Sequence, residues 1–218
     1  MSDFVYAPPM EPYFSIVHQD DDIIVFDKAA GLLSVPGRLL EHRDSLWSRA
    51  QRVWPSLTVV HRLDMATSGL ILMAITRRAQ SSLGRQFQQR QTQKTYLAEV
   101  WGAPTEEQGQ VELPLRCDWP NRPKQIVDFE QGKSALTHYR MLEARPQTSL
   151  MELKPVTGRS HQLRVHMQQL GCVIVGDGLY AEGAALEYGQ RLHLHATELG
   201  FYHPVTEDWV QFASSAPF

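Results

Sequence analysis

Apolar residues along the chain fall into short runs separated by polar, proline-marked or glycine-marked breaks, and two periods are legible in them. IIVFDK (Ile23–Lys28) is β-branched, apolar and of strand length, and Gly31 and the Pro36-Gly37 pair then mark loops. Helical spacing follows: SLWSRAQRVW sets Leu46, Ala50, Val53 and Trp54 near one face, with Asp44 placed as N-cap and Pro55 as terminator. The run GLILMAIT is a buried strand entered through the loop HRLDMATSG (His61–Gly69). A helix follows it, with Ala79, Leu83 and Phe87 recurring every fourth residue. YLAEVWG (Tyr96–Gly102), ALTHYRML, SLMELKPV, VIVGD, RLHLHATEL and DWVQFA read as further strands, and Pro114 to Lys124 as a proline-rich, basic loop or short strand pair. TGRSHQLRVHMQQLG turns into a third helix, capped by Ser160, with Leu163, Met167 and Leu170 as its inner stripe and Gly171 as its stop. Strands outnumber helices and do not alternate with them. The pattern therefore predicts an α+β fold around a mixed, largely antiparallel sheet with flanking helices and loops, rather than a doubly wound one.

Length and composition narrow this. The 218 residues, with 43% hydrophobic and 21% charged, suit one domain over 1–218 whose core needs no disulfide or metal staple. Residues 1–13 are an irregular arm with neither a basic n-region nor an apolar h-region, so no secretory leader is predicted. The longest apolar run, GLILMAI, is strand-sized, so no membrane span is predicted. Cys117 and Cys172 form no metal or redox spacing, as expected of a reduced, cytoplasmic protein. The net charge of -3 argues in sum against a nucleic-acid binder. Its distribution argues the other way: Arg77, Arg78, Arg85, Arg90 and Lys94 succeed one another with no acid between them. By itself such a run is most simply a solvated helix face.

Two segments carry chemistry. His61 to Gly69 offers one carboxylate, Asp64, flanked by Arg62 and by the hydroxyls of Thr67 and Ser68, at the mouth of a buried strand. It can serve as nucleophile or base, or simply cap the turn. Pro155 to Met167 places a glycine and a helix N-terminus where an anion could bind. Its Arg164 borders the buried stripe, where an arginine needs a carboxylate, and Asp64 is a candidate. Nine histidines raise a metal alternative, but His193 and His195 stand two apart on a strand and His161 and His166 five apart on a helix, and no cysteine or carboxylate completes a set. His193 and His195 are expected to be hydrogen-bonded edge residues. Trp47, Trp54, Trp101 and Trp209 are read as packing.

HRLD-x-x-TSG, GRSHQLRVH and VIVGDGLY, together with FDKAAGLLSVPG, KTYLAEVWG and LHLHATELGFYHP, resemble the RluA-type branch of the pseudouridine synthases. The resemblance runs from about Ile16 to Phe218, and CDWPNRPKQ (Cys117–Gln125) narrows it to that branch's dual-specificity member, a bare catalytic domain without an S4-type module. Ala29 departs from the proline usual there. The resemblance implies the isomerisation of uridine to pseudouridine in structured RNA, in the anticodon stem-loop of tRNA and a 23S rRNA hairpin; the reaction involves no redox change or hydrolysis and so needs no cofactor, and a monomer is expected. It makes Asp64 the catalytic aspartate, Tyr96 the tyrosine that stacks on the target base, and Arg164 the arginine paired with the aspartate. Arg62 fills the space left by the flipped base. The basic residues Arg85, Arg90, Lys94, Arg122 and Lys124, with Arg159 and His161 at the anion-binding turn, are the expected RNA contacts. A glycosidase would need a second motif-borne carboxylate, and a module that only binds RNA would not require the trio Asp64, Tyr96 and Arg164.

Overall fold

The computed structural model describes residues 5–218. In chain order the elements are β1 (Ser15–Gln19), β2 (Ile23–Lys28), α1 (Leu46–Ala50), β3 (Thr58–Val59), β4 (Ser68–Ala74), α2 (Arg77–Gln88), β5 (Gln93–Trp101) and β6 (Gln108–Glu112). They continue with β7 (Leu115–Cys117), β8 (Gln125–Val127), β9 (Leu136–Ala144), β10 (Thr148–Pro155), α3 (Gln162–Gln169), α4 (Gly183–Glu187), β11 (Leu194–Tyr202) and β12 (Trp209–Ala213). The chain forms two compact units. The first comprises the residues up to Gln93 and Ala196–Ser215; the second comprises Lys94–His195 and Ala216–Phe218.

In the first unit the strands run β1-β2-β4-β11, with β3 on β4 and β12 on β11. β1–β2, β2–β4, β3–β4 and β11–β12 are antiparallel. β2 and β4 show no polar alternation because both of their faces are covered. On one face Ile23, Val25, Leu70 and Leu72 pack with Ala79 and Leu83 of α2 and with Leu199 and Phe201 of β11. Elsewhere the Phe26 ring meets Phe14 and Trp54 edge-on. α2 starts where Thr76 accepts a hydrogen bond from Ala79 N–H.

α1 begins one residue later than expected. Ser45, not Asp44, is its N-cap, in a reciprocal capping box with Ser48. Asp44 instead engages Arg49, whose buried guanidinium also donates to Pro9 O and Tyr13 O at 2.8 and 2.9 Å. That tie holds the irregular arm; Val5 to Tyr13 form no helix or strand, and residues 1–4 lie outside the described residues. Val53 is exposed, because the regular helix has ended by Ala50.

In the second unit β5-β10-β9-β6 form an antiparallel array, and β7–β8 make a separate two-stranded hairpin. Two further expectations are corrected here. VIVGD is not a strand: Ile174 makes one isolated bridge to Val100, and the chain then turns at Gly176. Ile174 and Val175 are buried by position, with Trp101 N–H and Val175 N–H bonded across to Val173 O and Glu99 O. Ser160 does not cap α3 either. His161 holds the N-cap position in the left-handed region, at φ 53°, without a side-chain cap. Nor is α3 amphipathic, since every residue from Gln162 to Met167 is buried. Gly171 does end it, at φ 82°. The weakly patterned β1, β3 and β6 were not foreseen; β6, QGQVE, buries only Val111.

Candidate active site

Asp64 sits in a loop without regular structure, and that loop is gripped on both sides of it. Before Asp64, the Ser34 hydroxyl donates to Leu63 O at 2.7 Å and accepts from Leu63 N–H at 3.1 Å. After it, Met65 O accepts from Lys28 Nζ at 3.0 Å and from Gly31 N–H at 2.9 Å. Lys28 is fully buried, and its ammonium also donates to Ala29 O and Leu32 O at 2.9 and 2.7 Å. Carbonyl dipoles thus replace the water that a buried ammonium would otherwise lose at high cost. The turn itself closes from Thr67 N–H to Asp64 O at 3.2 Å. His61 is fixed too: its Nε2 accepts from Leu72 N–H at 2.9 Å and its ring stacks on Phe87. At Gly69 the backbone has φ 106°, and a Cβ there would fall 2.4 Å from Ala196 O. Only glycine lets the loop enter β4 at this angle. The result is a half-buried carboxylate on a fixed loop, with Arg62 exposed two residues before it.

The second unit holds the other expected groups. Tyr96 lies on β5 opposite Leu153 of β10, half-buried. Arg164 is buried, and Asp177 grips its guanidinium: Nε to Oδ2 is 2.8 Å and Nη2 to Oδ1 is 2.5 Å. Asp177 also accepts from Leu179 N–H and Tyr180 N–H, and the Arg164 guanidinium lies 5.1 Å from the Tyr180 ring centroid. Gln162 organises the turn before α3. Its Oε1 accepts from Thr157 Oγ1 and Arg159 N–H, while its Nε2 donates to Leu136 O and Thr137 Oγ1. Neither Asp177 nor Gln162 was singled out from the sequence, and neither were Lys28, Ser34 and Tyr180. A buried arginine demands a carboxylate, and Asp177 closes the VIVGD string, so that residue had a usable signal.

The expected RNA contacts differ in availability. Arg62, Arg85, Arg90, Arg122, Lys124 and Arg159 are exposed, with Arg159 also donating to Ser134 O at 3.1 Å. Lys94 is half-buried, and a Cβ built on Gly158 would lie 3.9 Å from its ammonium. Burial lowers the Lys94 pKa, and no carboxylate pairs with it among the described residues. His161 Nδ1 is 2.8 Å from Tyr180 Oη. Arg116 is committed to Asp128. The carboxyl of Asp128 is held down to about 2 by Gln131 N–H, then by Arg116 and Glu130 N–H. His193 bonds Glu99 at 2.8 Å and stacks on Phe218. Among the described residues no group of three or more His, Cys, Asp or Glu side chains is arranged to hold a metal ion.

A largely antiparallel α+β chain carrying these motifs on fixed loops defines a class. Residues 22–169 match the family model described as RNA pseudouridylate synthase, and the chain belongs to that family. It is 54% identical over 199 residues to the dual-specificity RNA pseudouridine synthase RluA of Vibrio cholerae serotype O1, covering 91% of this chain and 81% of that protein. It is 52% identical over 214 residues to RluA of Escherichia coli K12, covering 98% of each. Human RNA Pseudouridylate Synthase Domain Containing 1 shares the fold with a TM-score of 0.80 at 30% identity, over 97% of this chain and 87% of that one. Its relative Domain Containing 4 gives 0.74 at 26%, over 93% and 88%.

Proposed function

We propose that this protein isomerises uridines of structured RNA, both in the anticodon stem-loop of tRNA and in a hairpin of 23S rRNA, with Asp64 as the essential carboxylate. The reaction breaks the bond from N1 to C1′, turns the base, and forms a bond from C5 to C1′; the C5 proton is released. No redox change or hydrolysis takes place, so the chemistry calls for no cofactor. Asp64 acts at C1′, at C6, or by promoting a glycal. Arg164 stabilises the charge on that carboxylate. Tyr96 stacks on the extruded base and takes the C5 proton. Arg62 occupies the vacated stack, recovering part of an extrusion cost of a few kcal/mol. Arg85, Arg90, Lys94, Arg122, Lys124, Arg159 and His161 contact RNA. The protein acts as a cytoplasmic monomer; among the described residues no helix is long and apolar enough to cross a membrane.

The observation that carries this is the clamp on the motif loop: Ser34 on one side of Asp64, and Lys28 with Gly31 on the other, present a single carboxylate at fixed geometry. The test is tritium release from C5-labelled uridine in a tRNA-type stem-loop. Asp64→Asn removes the charge at almost constant shape. It should abolish release while RNA binding and the melting temperature stay near those of the parent. Residual turnover within about tenfold of the parent, or ~1.4 kcal/mol of barrier, would sink the assignment. Roles fall to residues of both units, so the whole chain is the enzyme to assay.

A further inference from the structure

Five tryptophans occur in the chain, and four of them meet other protein groups, Trp209 doing so while 38% exposed. Trp47 donates to Leu57 O at 3.0 Å, Trp54 meets Phe14 and Phe26, Trp101 meets Tyr188 and Trp209 meets Tyr202. Trp119 is different. It is 64% exposed, its indole N–H has no acceptor among the described residues, and its ring partner is a cation: the Arg122 guanidinium, 4.7 Å from the ring centroid.

A lone exposed apolar side chain needs no explanation by itself. Trp119, however, sits on a built platform. The turn between β7 and β8 is closed by Asp118 N–H to Lys124 O, Asn121 N–H to Asp118 O and Lys124 N–H to Asn121 O, at 2.9–3.0 Å. The Asn121 amide adds a bond to the Asp118 carboxylate at 2.8 Å. Arg122 Nε donates to Trp119 O at 3.2 Å, so the same residue that lies on the indole also ties its backbone. The foot of the hairpin is anchored, since Gln125 N–H donates to Tyr180 Oη at 2.8 Å and Arg116 pairs with Asp128. A rigid aromatic ring is therefore held out to solvent beside two cations, Arg122 and Lys124, that have no carboxylate partner among the described residues.

An open aromatic face offers dispersion and π contact to a flat ring, and unpaired cations offer neutralisation to phosphates. An unpaired nucleotide of RNA supplies both. An apolar protein surface would have no use for the two cations and would strand them. We propose that Trp119, backed by Arg122, is a stacking site for an unpaired loop base of the RNA, distinct from the uridine being isomerised. The inference rests on the RNA-modifying function proposed above. In the free protein the stacking partner of the ring is Arg122; in the complex a base stacks on the open face, and Lys124 and Arg122 lie against the adjoining backbone.

The test uses the whole chain and a tRNA-type stem-loop labelled at C5 of its uridines. Trp119→Ala should raise KM for the RNA about tenfold, as loss of one stacked base does, with kcat at saturating RNA unchanged within about twofold. Trp119→Phe should restore most of the affinity, because a phenyl ring still stacks. Quenching of intrinsic tryptophan fluorescence on RNA binding should fall sharply in Trp119→Phe, although four tryptophans remain. A KM for Trp119→Ala within about twofold of the parent, or undiminished quenching in Trp119→Phe, would overturn the proposal. The Phe variant guards against misfolding, since it keeps an aromatic ring on the turn. If the parent binds and quenches in this pattern but releases no tritium, the isomerase assignment has failed while the stacking site stands. Normal turnover with unchanged quenching is the reverse.

Discussion

Lys28 buries its ammonium among the carbonyls of Ala29, Leu32 and Met65, and so closes the loop that carries Asp64 from outside it. Lys28→Met would leave those acceptors short of a donor in a dry site. The expected cost is about 2–4 kcal/mol, read as a lowered urea midpoint at unchanged slope. Turnover per folded molecule should fall far less than in Asp64→Asn, because Ser34 and Gly31 still hold Leu63 and Met65. Equal loss in the two variants would mean that Lys28 acts in the chemistry. Arg164 poses the complementary case. Arg164→Met leaves the fully buried Asp177 without its bidentate partner, and breaking such a pair costs about 3–5 kcal/mol. A surface change such as Arg78→Met should cost under about 0.5 kcal/mol. A midpoint for Arg164→Met near that of Arg78→Met would contradict the energetic weight given to the pair.

At the scale of elements, Gly69 decides how β4 begins. Its φ of 106° and the 2.4 Å approach of a Cβ to Ala196 O mean that an alanine would strain its own backbone and push on β11. The atoms met are the backbone O, N and C of Ala196, not the far end of a flexible side chain, so relaxation is limited. Gly69→Ala should destabilise by about 3 kcal/mol and slow the enzyme by displacing the loop before it; a melting temperature equal to the parent's would rule out the strain. The elements were legible from sequence where one period dominated: β2, β4, α2, β9, β10 and β12 fall where apolar runs placed them. α1 was displaced because the Ser45 hydroxyl, one residue on from Asp44, captures Ser48 N–H. α3 misled for a different reason. A helix covered all round has no stripe to read, and its start is set by Gln162 reaching back to Arg159 rather than by a hydroxyl cap. VIVGD was apolar because it is buried, and burial does not by itself make a ladder.

Across the molecule, the shifted ionisations on the acid side, those of His166 and of the carboxyls, act in one direction. Burial holds His166 below its ordinary 6.5, against the hydrogen bond to Leu113 O, so the folded chain refuses a proton that the unfolded one accepts. Stability from this group is full above 6.5 and declines as pH falls through 6.5 toward the lower folded value. Burial alone would raise Glu99, but hydrogen bonds from Thr148, His193 and Arg145 overcome it and leave it below its ordinary 4.5. Asp128 is lowered to about 2. For these depressed carboxyls the stabilisation is present above the unfolded value and lost as pH falls through the folded one. Urea midpoints should therefore drop from pH 7 to pH 5.5 through His166 and again below about pH 4.5 through the carboxyls. A midpoint that rises on acidification anywhere between pH 7 and pH 3 would contradict the signs.

The sequence alone determined the class of fold and the identity of the motif residues. Strand and helix periods are local properties of the side-chain order, and the strings around Asp64, Tyr96 and Arg164 are contiguous and specific enough to name a family that the comparisons bear out. Tertiary structure decided the partners. Which carboxylate holds Arg164, which side chains grip Leu63 and Met65, and whether Arg116 or Arg122 keeps its cation available all depend on residues 12 to 37 positions apart meeting in space. No local period encodes such meetings. The cost of burying an unpaired charge requires that a partner exist, and only the packed chain chooses which one.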